Sequence, residues 1–121
     1  MTNEKTITIC GKEVKMRYCA ATERGFERIA EKSIADIDFQ SQEDLLTLSV
    51  VAIISAYQRN EEDAPIEAKE ILYDATPAEI VELFITTLEL RAAWYEVPLV
   101  LKEQIEKEQA DQKDEEKPKN A

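Results

Sequence analysis

The residue types that perform acid–base and nucleophilic chemistry are sparse in this sequence of 121 residues. It contains no histidine, so the commonest general base is absent and no Ser/His or Cys/His pair can form. Gly11 and Gly25 are its two glycines, too few for a phosphate-binding loop or a dinucleotide-binding fingerprint. The sequence therefore predicts a protein that is not an enzyme, with no catalytic residue and no cofactor.

Carboxylates are plentiful, with 26 Asp and Glu residues, and they could in principle carry catalysis or bind a metal ion. The acidic run at residues 61–63 lacks the alternating spacing of a calcium loop, which favours a solvated loop. Three further acids are interpreted as the solvated side of an amphipathic helix: Glu79, Glu82 and Glu89. We expect no metal site, and a small enzyme that uses carboxylates alone is kept as a third alternative.

Cys10 and Cys19 are the two cysteines. In the hairpin described below, Cys10 lies at the turn and Cys19 at the far end of the second strand, roughly 16 Å away at ~3.3 Å per residue. A disulfide needs Cα atoms within roughly 7 Å of each other. Both are therefore predicted to be reduced thiols, and packing is preferred to reactivity as their role.

Aromatic side chains close to the predicted end of a long helix are the best candidates for contact with a partner. Trp94 either fills the core beneath the hairpin, which is the preferred interpretation, or anchors a binding partner. Arg91 lies on the same, otherwise apolar face and is expected to extend its guanidinium to solvent rather than pair with an acid. The binding hypothesis names four residues: Trp94, Tyr95, Phe84 and Arg91.

The elements that must position these side chains begin with a hairpin at residues 6–18, where apolar residues alternate with polar ones. Gly11-Lys12 suits a two-residue type II′ turn. This register places all the apolar side chains on one face, through the pairs Ile9–Val14 and Ile7–Met16. Because a lone hairpin is marginally stable, helices must cover that face.

Helical spacing follows the hairpin. Thr22 is the predicted N-cap of a first helix that ends near Lys32 or Ser33, and residues 34–39 form either an extended connector or a short third strand. Ser41 then caps a helix that is apolar on nearly all sides and is predicted to be central and buried. Pro65 is the predicted start of a short helix with one modest apolar face.

The last long helix has the clearest start, because Thr76-Pro77-Ala78-Glu79 combines an N-cap, a proline at the first helical position and a glutamate at the third. Val97-Pro98 is expected to end it, and residues 99–105 to form a final amphipathic helix. The predicted buried face comprises Ile80, Leu83, Phe84, Thr87, Leu88, Arg91 and Trp94. The predicted polar stripe comprises Glu82, Thr86 and Glu89.

These elements predict an α+β, predominantly α-helical fold, with an N-terminal β-hairpin packed on a bundle of about four to five helices. Residues 1–105 form the single predicted domain, and residues 106–121 a disordered, charged tail. The formal charge of −11 repels phosphate backbones and anionic headgroups, so neither nucleic acid nor a membrane is an expected partner. Without an apolar segment long enough to span a bilayer, a cytoplasmic location is expected.

Residues 6–98 resemble the tail assembly chaperones of long-tailed bacteriophages and related prophages. The resemblance rests on the hairpin ITICGKEVKMRY, the helix segment ERGFERIAE, the apolar middle helix and the helix TPAEIVELFITTLELRAAW. It implies a non-enzymatic protein in the bacterial cytoplasm that binds the tape measure protein and helps to recruit tail tube protein. A small acidic regulator or immunity-type protein that masks a basic partner is the alternative, and a homo-oligomer is possible because the apolar helix at 45–57 could be shared between chains.

Overall fold

An antiparallel hairpin and five helical segments make up the computed structural model, which describes the backbone of residues 3–120 and the side chains of residues 3–96 and 103–108. The predicted α+β, mostly helical class is confirmed. The elements are β1 (Glu4–Ile9), β2 (Lys12–Arg17), α1 (Ala20–Ala30), a 3₁₀ turn (Ile34–Asp36), α2 (Gln42–Gln58), α3 (Ala68–Asp74) and α4 (Pro77–Asn120).

The hairpin has a different register from the predicted one. Its turn is Cys10-Gly11, with φ angles of 52° and 74°, and Ile7 pairs with Val14 rather than with Met16. Two positive φ values are what a type I′ turn requires, and the twist of this turn matches that of the strands better than the twist of a type I or II turn does. The shift is by two residues, so the predicted apolar face is retained. Its buried members are Ile7, Ile9, Val14, Met16 and Tyr18.

Helix α1 begins earlier than predicted, after the N-cap Cys19, and Thr22 occupies its third position. The Oγ1 atom of Thr22 accepts a hydrogen bond from the backbone N–H of Cys19 at 3.1 Å, so the N–H of the N-cap residue has a hydrogen-bond partner. The helix ends at Ala30, because Glu31 adopts the left-handed conformation with φ of 57°. The predicted cap at Thr22 and the predicted end near Lys32 are therefore wrong.

Residues 34–39 contain a 3₁₀ turn, and the sheet in the described part of the chain has two strands, so the third-strand alternative is wrong. The Ser33 hydroxyl accepts from the backbone N–H of Ala35 at 3.2 Å and holds the turn. The predicted Ser41 cap of α2 is confirmed, with its hydroxyl accepting from the N–H of Asp44 at 3.2 Å. Helix α3 starts at Ala68, after its N-cap Glu67, and not at Pro65.

The predicted capping box of α4 is confirmed by two reciprocal hydrogen bonds. The N–H of Glu79 donates to Thr76 Oγ1 at 3.2 Å, and the N–H of Thr76 donates to Glu79 Oε1 at 2.9 Å. The predicted end at Val97-Pro98 is wrong, since α4 continues to Asn120 and includes residues 99–105. Proline inside a helix removes one backbone hydrogen bond and costs about 3 kcal/mol, so the continuation of α4 through Pro98 has a free-energy cost.

The charged tail predicted at 106–121 carries helical backbone as far as Asn120, while Ala121 and the side chains of residues 109–120 lie outside the described part. The described side chains of residues 103–108 are all exposed. Disorder of residues 106–121 stays a prediction.

The core lies between the apolar face of the hairpin and helices α1, α2 and α4. Thr86, predicted to be polar and exposed, is buried on α4 beside Thr87, whose hydroxyl lies 2.7 Å from that of Ser49 on α2. Among the described residues, no helix is long and apolar enough to cross a membrane. The buried hydrophobic cluster comprises Ile7, Ile9, Val14, Met16, Tyr18, Phe26, Leu48, Ala52, Ile53, Ile66, Ile71, Leu83 and Leu90.

Candidate functional site

Trp94 and Tyr95 are part of an aromatic cluster that joins α4 to the end of β2 and to α1. The ring centroids of Trp94 and Tyr18 are 5.6 Å apart, and those of Trp94 and Tyr95 are 4.9 Å apart in an edge-to-face arrangement. Trp94 is partly buried against the core. Its position supports the core-filling role, while contact with a partner stays a prediction.

The Glu23 carboxylate binds the two tyrosine hydroxyls of this cluster. Glu23 Oε2 accepts hydrogen bonds from the hydroxyl of Tyr18 at 2.8 Å and from the hydroxyl of Tyr95. Burial, with the added effect of the Glu23 carboxylate, raises the pKa of both phenols above the ordinary value of 10. Both therefore remain protonated donors at neutral pH, which suits a structural role better than proton transfer.

Arg91 does not extend into solvent as predicted. Its guanidinium carbon lies 4.9 Å from the ring centroid of Phe39 and 4.6 Å from that of Tyr95, so the cation stacks between two aromatic rings. The Nε atom is buried and has no hydrogen-bond partner among the described residues. Through its contact with Phe39, Arg91 thus packs the connector at residues 34–41 against α4 and belongs to the aromatic cluster.

Phe84, the fourth predicted binding residue, lies in a separate groove between α2, α3 and α4. The groove has a volume of about 350 Å³ and is lined mainly by apolar side chains, with Gln42 and Glu43 at its polar edge. The structure therefore brings three of the predicted residues together and places Phe84 apart from them. The apolar side chains around Phe84 are Leu46, Ile71, Leu72, Ala75 and Ile80.

An exposed apolar stripe on α4 was missed by the sequence reasoning. Val81, Ile85 and Leu88 are 55%, 49% and 37% exposed, and Ala92 is exposed as well. Their spacing of four, three and four residues puts them on one face of the helix, which we call the α4 stripe. Leu88 was assigned to the buried face instead. The signal was present in the spacing, but a helix that is apolar on several sides does not reveal which side is covered.

Acidic residues border the α4 stripe along one edge. Glu82, Glu89 and Glu96 recur every seven residues and are all exposed. Glu89 pairs with Lys5 of β1, and the described ion pairs include neither Glu82 nor Glu96. An exposed apolar face with a rim of one charge has the composition of a surface that binds an amphipathic helix of opposite charge.

The remaining possible metal ligands and the two cysteine thiols form no further site among the described residues. No group of three or more His, Cys, Asp or Glu residues among those described could hold a metal ion. Cys10 and Cys19 are free thiols, as predicted. Burial raises the pKa of Cys10. Burial also opposes ionisation of Cys19, but hydrogen bonds with Thr22 and Ala21, together with the nearby Arg17 cation, outweigh it and lower the pKa of Cys19.

Comparison with protein-family models, with curated proteins and with solved structures finds no match to this chain.

Proposed function

We propose that this chain is a non-enzymatic protein-binding protein that acts as a tail assembly chaperone of a bacteriophage or prophage. In this role it binds the tape measure protein in the bacterial cytoplasm and aids recruitment of tail tube protein. The resemblance of residues 6–98 to that family suggests the role. The observation that supports it best is the α4 stripe with its acidic edge.

The α4 stripe suits an amphipathic helix of the tape measure protein that carries basic residues beside its apolar face. Burying exposed apolar side chains favours such a complex. The acidic edge, where Glu82 and Glu96 are in none of the described ion pairs, selects basic segments and repels acidic ones. The groove around Phe84 adjoins the stripe, since Phe84 and Leu88 are one turn apart on α4, and it can take one larger side chain of the same helix.

The direct test replaces exposed residues of the stripe and leaves the aromatic cluster intact. A double alanine variant of Trp94 and Tyr95 would also remove their contacts with Tyr18 and Glu23, and so would confuse binding with folding. The variant Val81→Gln/Ile85→Gln changes side chains that are about half exposed. Capture of the tape measure protein encoded in the same gene cluster is expected to fall at least about tenfold.

The matched control is Tyr73→Gln, which changes a large side chain that is 79% exposed on α3 and belongs to neither the α4 stripe nor a described groove. Circular dichroism and thermal unfolding should show all three proteins folded. Undiminished capture by folded Val81→Gln/Ile85→Gln would remove the stripe as the binding site. A genome without tail genes beside this one would argue against the chaperone role itself.

The second candidate is a small acidic regulator or immunity-type protein that masks a basic partner. The formal charge of −11 and the acidic edge of α4 favour it. The two candidates differ in what holds the partner. Binding that weakens steeply with salt and in Glu82→Gln/Glu96→Gln, but not in Val81→Gln/Ile85→Gln, would support masking of a basic surface.

A further inference from the structure

A cleft between α1 and α2 differs in charge from the rest of this acidic molecule. It has a volume of about 310 Å³, and its floor and edges include the apolar side chains of Ile29, Val51 and Ile54. Arg24 and Arg28 line it, and no Asp or Glu does. The other two described grooves each have acidic residues in their walls, namely Asp63 and Glu67 in one and Glu43 in the other.

The two arginines are left without a carboxylate partner in the described part of the chain. None of the described ion pairs includes Arg24 or Arg28. Two neighbouring acids on the same helix are engaged elsewhere: Glu23 accepts from Tyr18 and Tyr95, and Glu27 accepts from the backbone N–H of Ile34 at 3.0 Å. Glu31, the C-cap residue of α1, is in none of the described ion pairs. In a chain with 26 acidic residues, two exposed guanidinium groups beside a cleft are thus available to an external anion.

Their placement also opposes the stability of α1. Arg24 and Arg28 are four residues apart, so their like charges lie on adjacent turns of the same face, an arrangement that destabilises a helix. Ile29 adds an exposed apolar side chain, 60% accessible, at the edge of the same cleft. Bidentate guanidinium donors next to an aliphatic surface match a carboxylate that is followed or preceded by an aliphatic residue.

We propose that the α1–α2 cleft is a second docking site, which binds an acidic segment of a partner protein carrying at least one aliphatic anchor residue. The aliphatic side chain enters the cleft between Ile29 and Ile54, and the carboxylates bind Arg24 and Arg28. This site is separate from the α4 stripe and prefers the opposite charge. The protein can therefore hold a basic helix and an acidic segment at the same time on two faces.

The test uses the full chain and two fluorescein-labelled helical peptides of about 12 residues. Both have leucine at every fourth position, and they differ in carrying either glutamate or lysine between the leucines. Fluorescence anisotropy should show saturable binding of the glutamate peptide. Arg24→Gln/Arg28→Gln should weaken that binding at least about tenfold, and Ile29→Ala should weaken it severalfold.

The control Lys15→Gln/Lys69→Gln removes the same charge from exposed positions that do not line the cleft and should stay within about twofold of the unmodified chain. Amide chemical shifts of Gly25, Ile29 and Ile54 should move with the glutamate peptide. Binding of the lysine peptide should not respond to Arg24→Gln/Arg28→Gln, which separates this site from the α4 stripe. Failure of the stripe variants to lose tape measure capture would leave this result unaffected.

Four outcomes would overturn the proposal. The first is no saturable binding of the glutamate peptide, and the second is an equal loss in the arginine and lysine variants, which would show only a nonspecific charge effect. The third is tighter, arginine-dependent binding of an anionic phospholipid vesicle or a DNA oligonucleotide, which would make this a phosphate site. The fourth is a light-scattering mass of a dimer that becomes monomeric in Arg24→Gln/Arg28→Gln, which would assign the cleft to a second copy.

Discussion

Glu79 connects two elements that are distant in the sequence. One carboxylate oxygen accepts from the backbone N–H of Thr76 at 2.9 Å and so caps α4, and the other accepts from the N–H of Cys10 at 2.7 Å in the hairpin turn. These backbone hydrogen bonds, that of Thr76 first, lower the pKa of Glu79 below its ordinary value of 4.5. The acid that appeared to be a solvated helix residue therefore fastens the hairpin to α4.

The pH dependence of stability should reveal this link. Because the folded state lowers the pKa of Glu79, its contribution is fully present above 4.5 and is lost as the pH falls through the folded-state pKa. Glu79→Gln should therefore lower the midpoint of urea unfolding at pH 7, and the difference should shrink below pH 4.5. Glu82→Gln, at an exposed position about one turn further along α4, is the control. An equal shift in both variants would contradict the role given to Glu79.

Cys10 adopts a left-handed backbone conformation, with φ of 52°, at the first central position of the hairpin turn. Asparagine tolerates this conformation well, whereas a β-branched residue is strained there. Cys10→Asn should thus be more stable than Cys10→Val by about 1–2 kcal/mol in urea unfolding. Both substitutions remove the thiol, so the loss of its contacts cancels in the comparison.

The same pair of substitutions at Thr6, exposed in strand β1, is the control for Cys10. There the extended backbone favours valine, and the order of stability should be reversed. If valine were preferred at both positions, the type I′ turn at Cys10-Gly11 would be wrong.

Contact between α1 and α2 depends on the absence of a side chain at Gly25. A Cβ atom at this position would lie 2.5 Å from Cγ1 of Val51, well inside van der Waals contact. Glycine weakens an isolated helix by up to about 1 kcal/mol, so its presence here reflects the close approach of two elements. It also opens the space from which the α1–α2 cleft is built.

Gly25→Ala should lower the free energy of unfolding by about 1–3 kcal/mol, because overpacking outweighs the gain in helix propensity. Combining it with Val51→Ala should relieve the overlap, so that the double variant is more stable than the sum of the two single effects by about 0.5–3 kcal/mol. Urea unfolding of the four proteins in this cycle measures the coupling. Additive effects would mean that the two helices do not meet at these residues.

The charge of the whole molecule works against its compactness. The formal charge is −11, and the described ion pairs, which involve Lys5, Lys12, Arg17 and Lys32, include exposed groups that contribute little individually. Self-repulsion of this kind destabilises a folded chain while keeping it soluble. It also disfavours pairing of two identical acidic faces and favours partners with complementary charge.

Sodium chloride should consequently raise the thermal stability. Increasing its concentration from about 20 mM to about 500 mM shortens the Debye length to below about 5 Å, so net repulsion is screened more than favourable pairs in direct contact. The melting temperature at pH 7 should rise, and the effect should nearly vanish at the isoelectric point of about 4.5. A melting temperature that falls with salt at pH 7 would show that the ion pairs outweigh the net charge.

Local spacing in the sequence was enough to predict several parts of this structure. The alternation in residues 6–18 gave the buried face of the hairpin, and the caps at Ser41 and Thr76 gave the starts of α2 and α4. These features depend on interactions within a few residues of each other. The lack of histidine likewise restricted the available chemistry before any fold was considered. The roles of Trp94, Tyr95, Phe84 and Arg91 in binding stay predictions.

Only the tertiary structure decided the register of the hairpin, the surroundings of Arg91 and the two surfaces proposed to bind partners. A shift of two residues leaves the same side chains on the same face, so the pattern could not distinguish Ile7–Val14 from Ile9–Val14 pairing. Similarly, α4 is apolar on several sides, and which of them stays exposed depends on how α2, α3 and the hairpin pack around it. Such choices are made by contacts between residues far apart in the chain, and no local spacing encodes them.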